Sequence, residues 1–269
     1  MRCMTTDPQQ VLFAFTLTLI AGLATGIGGY IGIMRQHPGR NFLAGALGFS
    51  AGVMLFVSFG EILPQGLDDL TGQWGERGGT WAAYGAFFLG IAVIAVIDRL
   101  VPESINPHEP STTEGAERQA RMAKAGIMTA IALAIHNFPE GFATFVSGLT
   151  SLSVALPIVV AIAIHNIPEG IAVAVPIREA TGSRKKAFWI ATLSGFAEPA
   201  GALIGFLLLM PFMGPATLGL TFAAVAGVMV FICLDELLPT AVKSGSHHTA
   251  IYGLIGGMAL MAVSLLLFI

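Results

Sequence analysis

Residues 153–176 read SVALPIVVAIAIHNIPEGIAVAVP, a stretch with one charged side chain, Glu169. A helix needs about 20 mostly apolar residues to cross a bilayer, and this stretch is long enough. Its neighbour, residues 122–148, has the same character and contains HNFPEG at 136–141, nearly the HNIPEG of 165–170. Near-identity over six residues in adjacent apolar stretches is an internal repeat. Working outward, further runs of this kind lie at 9–34, 41–66, 80–100, 186–210, 216–240 and 249–269. The expected fold is therefore all-α, a polytopic membrane protein of eight transmembrane helices. Residues 1–269 would form a single transmembrane domain. The runs do not alternate as barrel strands would. The first is too long for the apolar core of a signal peptide and has no basic cluster before it.

Composition agrees. Of 269 residues, 55% are hydrophobic and 11% charged, against roughly 25% charged in an average soluble domain, and mean hydropathy is +0.79. This excludes an ordinary soluble surface and a disordered chain. Two cysteines, Cys3 and Cys233, do not make a disulfide framework. A net charge of −3 gives no reason to expect a nucleic-acid partner. The small-xxx-small spacings Gly22/Gly26, Gly28/Gly32, Gly48/Gly52, Gly201/Gly205 and Gly253/Gly257 are read as close helix packing.

Lysine and arginine set the orientation. With the N-terminus outside, only Arg2 and Arg77 fall on the outer side. Arg35, Arg40, Arg99, Arg118, Arg121, Lys124, Arg178, Arg184, Lys185, Lys186 and Lys243 fall inside. Both termini are then outside, and the polar, proline-containing segment 101–121 is a cytoplasmic loop.

Ionisable groups at membrane depth are costly, about 2.5–3.5 kcal/mol each on the insertion scale, and mark function by default. The fourth span carries His136, Asn137, Pro139 and Glu140. The fifth carries His165, Asn166, Pro168 and Glu169, and the sixth carries Glu198 before Pro199. His and Glu at i and i+4 share a helix face. The prolines free the carbonyls of Ile135 and Ile164, as is tolerated beside a cavity or a polar partner. His136 and His165 are equidistant from the turn at 150–151, each about 22 Å from it at 1.5 Å per residue. His165 and Glu198 are likewise equidistant from a turn at 181–182. All seven polar residues then lie at one level.

Imidazole, carboxylate and amide without a thiolate suit a divalent transition metal that must leave again, rather than a closed structural site. A proton relay could use the same groups without metal. No Walker-type GxxxxGK[ST] is present, and HNxPEG is not the HExxH of zinc proteases. Elsewhere, Glu61-Ile62-Leu63-Pro64 and Glu236-Leu237-Leu238-Pro239 repeat E-[IL]-L-P on oppositely directed helices. This suggests an inverted repeat, spans 1–3 against spans 6–8 around spans 4–5, as in secondary transporters. Glu61 then faces the outer path and Asp235 and Glu236 the inner one. Cys233 reads as a small buried hydrophobe.

With these motifs and SGFAEPAG at 194–201, the chain resembles the ZIP (zinc/iron-regulated transporter-like) family, most closely its bacterial zinc-uptake branch, over essentially its whole length. The resemblance implies import of divalent metal, mainly zinc and often iron, manganese or cobalt. It carries the family's metal site onto His136, Asn137, Glu140, His165, Asn166, Glu169 and Glu198, where two adjacent ions can bind. Many relatives have a histidine-rich loop after span 3, whereas this one holds only His108. His247 and His248 are placed in the loop before the last span.

The reading is a secondary transporter bringing divalent cations into the cytoplasm across the plasma (bacterial inner) membrane. It needs no prosthetic group and is not an enzyme. Its partners are divalent metal ions and the lipid bilayer, and a homodimer is compatible with the sequence. The alternatives are a divalent cation/proton antiporter working as an exporter, and a membrane metalloenzyme.

Overall fold

The computed structural model describes residues 7–34, 39–100, 116–150, 152–209, 212 and 214–266; some side chains within helices, His136 among them, lie outside this description. The described residues contain no strand. They form α1 (Pro8–Met34), α2 (Arg40–Val57), α3 (Leu63–Leu100), α4 (Ala116–Thr150), α5 (Leu152–Thr181), α6 (Arg184–Gly195), α7 (Ala197–Leu209), α8 (Pro215–Ile232), α9 (Leu238–Ser244) and α10 (His247–Leu266). This is an all-α polytopic membrane protein. Six helical stretches are long and apolar enough to cross a bilayer: Pro8–Met34, Asn41–Arg99, Ala155–Thr181, Arg184–Leu208, Pro215–Lys243 and His247–Leu266. Large apolar side chains such as Leu12, Trp81, Phe88, Leu207, Tyr252 and Leu266 stand on the outside. That surface suits lipid and would be a liability in water.

The stretch Asn41–Arg99 has 59 residues, about 88 Å if straight, and it turns back at Gly75. There φ is 73° and ψ is 165°, a region essentially reserved for glycine. Gly66 before the bend and Gly90 after it both pack on α8, against Gly219 and Ala224, which only a reversed chain allows. Two further irregularities are π turns, Ser58–Ile62 between α2 and α3 and Cys233–Leu237 between α8 and α9. In each, a backbone N–H donates five residues back, Leu63 to Ser58 and Leu238 to Cys233.

The packing is built on glycine. A Cβ on Gly48 or Gly52 would run into the carbonyls of Ala250 or Leu254, and one on Gly253 or Gly257 into those of Gly45 or Phe49. Each of the five small-xxx-small pairs has at least one glycine against a backbone carbonyl of another helix, while Gly26, Gly32 and Gly205 meet the side chains of Thr192, Ala174 and Phe142. The α8 face repeats the α2 pattern, with Gly227 on the Phe87 carbonyl and Gly90 on the Ala224 carbonyl. Thus α2 stands to α10 as α8 stands to α3, in line with the repeat expected from E-[IL]-L-P.

Three expected boundaries shift. Residues 116–121 are helical and open α4, so the loop expected at 101–121 is shorter, and 101–115 lie outside the described residues. AERQAR is polar but made of good helix formers, so hydropathy alone hides this extension. His247 and His248 are in the first turn of α10, not in a loop. The sixth span is broken at Phe196 into α6 and α7.

A candidate metal site where α1, α4, α5 and α7 cross

Both motif copies lie inside unbroken helices. Pro139 is within α4, and Pro168 within α5, which also holds Pro157 and Pro176. Their glycines bring the partner helices in. A Cβ on Gly141 would strike the Glu198 carbonyl, and one on Gly201 the Phe138 carbonyl; one on Gly170 would strike the Thr25 carbonyl, and one on Gly28 the Ile167 carbonyl. So α4 crosses α7 as α5 crosses α1. Gly22 of α1 and Gly195 of α6 meet reciprocally between the two crossings.

The motif asparagines obey the same symmetry. Asn137 Nδ2 donates to Ser194 O at 3.4 Å, and Asn166 Nδ2 donates to Ala21 O at 2.9 Å. Ala21, Gly22, Thr25 and Gly28 therefore correspond to Ser194, Gly195, Glu198 and Gly201, at one constant offset along the chain. The amide nitrogens are committed to neighbouring backbones, which fixes the orientation of the amide oxygens. Both oxygens, Asn137 Oδ1 and Asn166 Oδ1, are buried without a hydrogen-bond partner among the described residues.

Glu198 is positioned by the break in the sixth span. Pro199 has no N–H to donate to Gly195, four residues back, so the helix is interrupted there. Phe196 N–H bonds to Thr192 and Leu193, and Ala200 N–H to Phe196 restarts the ladder. Glu198 thus lies in the first turn of α7, where the helix dipole favours a carboxylate.

The carboxylates, amides and His165 are all essentially inaccessible: Asn137, His165, Asn166, Glu169 and Glu198 are 0% exposed and Glu140 is 1% exposed. Glu140 Oε2 lies 3.2 Å from His165 Nε2, joining α4 to α5. Asn166 Nδ2 donates to Glu198 Oε1, joining α5 to α7. Glu198 is also within electrostatic reach of Glu140 and Glu169. Among the described residues no three His, Cys, Asp or Glu side chains converge closely enough to enclose an ion as they stand, and the side chain of His136 is outside that description. The structure therefore brings four of the seven expected residues together in two pairs, Glu140 with His165 and Asn166 with Glu198, and buries Asn137 and Glu169 beside them, rather than forming a closed shell. Buried polar groups in such number are costly unless hydrogen-bonded or bound to a ligand.

The residues expected along the pathway lie on other elements. Glu61 and Glu236 are half-buried and Asp235 is exposed, each within a π turn, a local geometry frequent at functional sites. Cys233, first in its turn, is fully buried with Sγ 3.6 Å from Ala51 O.

A family model described as ZIP zinc transporter matches residues 101–265. Among curated proteins, the zinc transporter ZupT of Corynebacterium efficiens is 73% identical, over 98% of this chain and 100% of its own length. The proteins of that name from Corynebacterium glutamicum and Streptococcus mutans are 72% and 57% identical, covering 96% and 97% of this chain and 100% and 99% of their own lengths. This chain belongs to the ZIP zinc transporter family. ZIP membership makes it a membrane transporter rather than an enzyme, and zinc in this family is cargo, not a prosthetic group.

Sequence reasoning marked the polar groups of this ZIP chain and missed what orients them. The asparagine-to-carbonyl ties, the glycine approaches and Ser50, whose Oγ donates to His165 O at 3.2 Å, depend on neighbours far along the chain. Only Pro199 gave a local signal for the break beside Glu198.

Proposed function

We infer that the protein imports divalent transition-metal cations into the cytoplasm without ATP, zinc foremost and iron, manganese and cobalt as further cargo. The ion binds at mid-membrane to His136, Asn137, Glu140, His165, Asn166, Glu169 and Glu198. The observation that carries this reading is the fully buried polar set at the α4–α5–α7 crossing, where Glu140 meets His165 and Asn166 meets Glu198. Oxygen and imidazole donors of this kind bind such ions and, without thiolates, release them. The names of the relatives support zinc as cargo.

The cycle runs from outside to inside. Glu61 attracts the hydrated ion, the ion sheds water into the buried set, and Asp235 and Glu236 receive it on the inner side. The chain sits in the bacterial inner membrane with eight spans and both termini outside, an orientation that the lysine and arginine distribution supports. The test is metal flux in proteoliposomes of known orientation, measured both ways with zinc, iron, manganese and cobalt. Zinc entry toward the cytoplasmic face is expected. Flux only outward, driven by inward protons, would replace this reading with an exporting antiporter.

A further inference from the structure

The two crossings correspond position by position, and they differ in the side chain that reaches across to the motif asparagine. Glu198 on α7 corresponds to Thr25 on α1, and Asn166 on α5 to Asn137 on α4. Glu198 reaches across to accept a hydrogen bond from Asn166. The equivalent reach, Thr25 to Asn137, is not made. Thr25 Oγ1 and Asn137 Oδ1 are both buried, and neither has a hydrogen-bond partner among the described residues. Thr25 itself is 0% exposed.

Thr25 is also deprived of the acceptor a helical threonine ordinarily uses. Thr18, Thr144 and Thr192 donate to the carbonyl four residues back, at 3.0, 2.8 and 2.8 Å. For Thr25 that carbonyl belongs to Ala21, and it already accepts from Asn166 Nδ2. Thr25 packs at the glycine crossing of α1 and α6, where its Cβ and Oγ1 would stand 2.8 and 2.9 Å from a Cβ built on Gly195. A buried hydroxyl without a partner implies something that partners it. Threonine is shorter than glutamate and neutral, so where α7 carries a carboxylate that reaches Asn166, α1 carries a hydroxyl that does not reach Asn137.

We propose that Thr25 is a specificity-determining residue of the transport site, its hydroxyl and Asn137 Oδ1 supplying neutral oxygens to the transported divalent cation, directly or through one bound water. The inference rests on the reading of the α4–α5–α7 crossing as the ion site. Its chemical content is an asymmetry: a carboxylate on α7, a neutral oxygen at the matching place on α1. Neutral oxygen is a hard ligand, so it favours manganese over softer ions relative to a site lacking it.

The test is initial-rate uptake of zinc and manganese into proteoliposomes by wild type, Thr25→Val, Thr25→Ser and Glu140→Ala. Thr25→Val keeps the shape and removes the oxygen. It should raise the KM for zinc about fivefold to tenfold, the effect of one lost polar contact, and that for manganese by more, with Vmax less affected. Thr25→Ser should restore both. A residue that only packed α1 against α6 would not shift the zinc-to-manganese ratio. Wild-type KM values and ratio in Thr25→Val overturn the proposal. Should the valine variant fail to insert, Thr25→Cys replaces a hard donor by a soft one and should raise cadmium uptake relative to manganese; an unchanged ratio there also overturns it. Loss of uptake in Glu140→Ala beside an unaffected Thr25→Val removes Thr25 alone, whereas uptake retained in Glu140→Ala removes the ion-site reading itself.

Discussion

Glu140 Oε2 on α4 lies 3.2 Å from His165 Nε2 on α5, so the carboxylate of one HNxPEG copy is held by the imidazole of the other. The motif copies are thus not two independent sites side by side. Each supplies half of a contact across the α4–α5 interface, and Asn166 extends the chain of contacts to Glu198 on α7. Removing one member leaves its buried partner unsatisfied, which costs more than the contact itself contributes.

Glu140→Ala and Glu169→Ala are therefore expected to abolish zinc uptake while the protein still inserts and remains monodisperse. Glu140→Gln, which can still hydrogen-bond His165 but carries no charge, should weaken metal affinity at least about tenfold. Zinc binding by calorimetry, together with proteoliposome uptake, checks this. Wild-type flux in either alanine variant would remove the carboxylates from the ion site.

The second expectation concerns the backbone contacts that build the crossing. Gly141→Ala places a methyl on the Glu198 carbonyl, and Gly170→Ala places one on the Thr25 carbonyl. Each forces two helices apart, and overpacking of this kind costs about 1–3 kcal/mol. Thermal unfolding in detergent should fall for both variants by similar amounts, because the two contacts are equivalent. Gly85→Ala, on α3 with open space around its Cβ position, should not fall. Equal stability of all three would show that the close approaches are not needed.

The fold class and the polar residues were legible because a bilayer enforces both. It fixes the length of apolar helices, and it makes His165, Asn166, Glu169 and Glu198 conspicuous by their cost. What hydropathy does not register is helix outside the bilayer, hence the missed first turns of α4 at 116–121 and of α10 at His247. The π turns were hidden for a related reason, since one extra residue in a turn changes neither length nor apolarity. The repeated E-[IL]-L-P marked their places without revealing their geometry. Proline was an ambiguous guide: Pro139 and Pro168 lie within continuous helices, while Pro199 accompanies a break. The orientation of the asparagines was out of reach, because Asn166 is tied to Ala21 and Asn137 to Ser194 by contacts distant in sequence.

Topology gives the third expectation. The lysine and arginine bias places residues 101–115 on the cytoplasmic side. A cysteine introduced as Ser111→Cys, with Cys3 and Cys233 replaced by serine, should react with an impermeant maleimide only in permeabilised cells or inside-out vesicles. Labelling in intact cells would reverse the orientation, and Asp235 and Glu236 would become the outer pair.

The last expectation separates two glycines three residues apart. Gly75 turns the long helix back on itself at φ 73° and ψ 165°, and a side chain there is strained whatever space surrounds it, at about 1–3 kcal/mol. Gly72 is in the helix before the bend, has ordinary backbone angles, and its Cβ position meets nothing within 4 Å. An alanine at 72 gives up less chain entropy on folding and should stabilise by about 0.4–1 kcal/mol. Gly75→Ala and Gly72→Ala should thus shift the unfolding temperature in opposite directions, although the substitution is the same and both sites are solvent-accessible. Unfolding monitored by circular dichroism in one detergent, with zinc uptake as a check on the folded state, reads the two signs. A Gly75→Ala variant as stable as wild type would mean that the reversal between α2 and the second half of α3 does not depend on a positive φ at this residue.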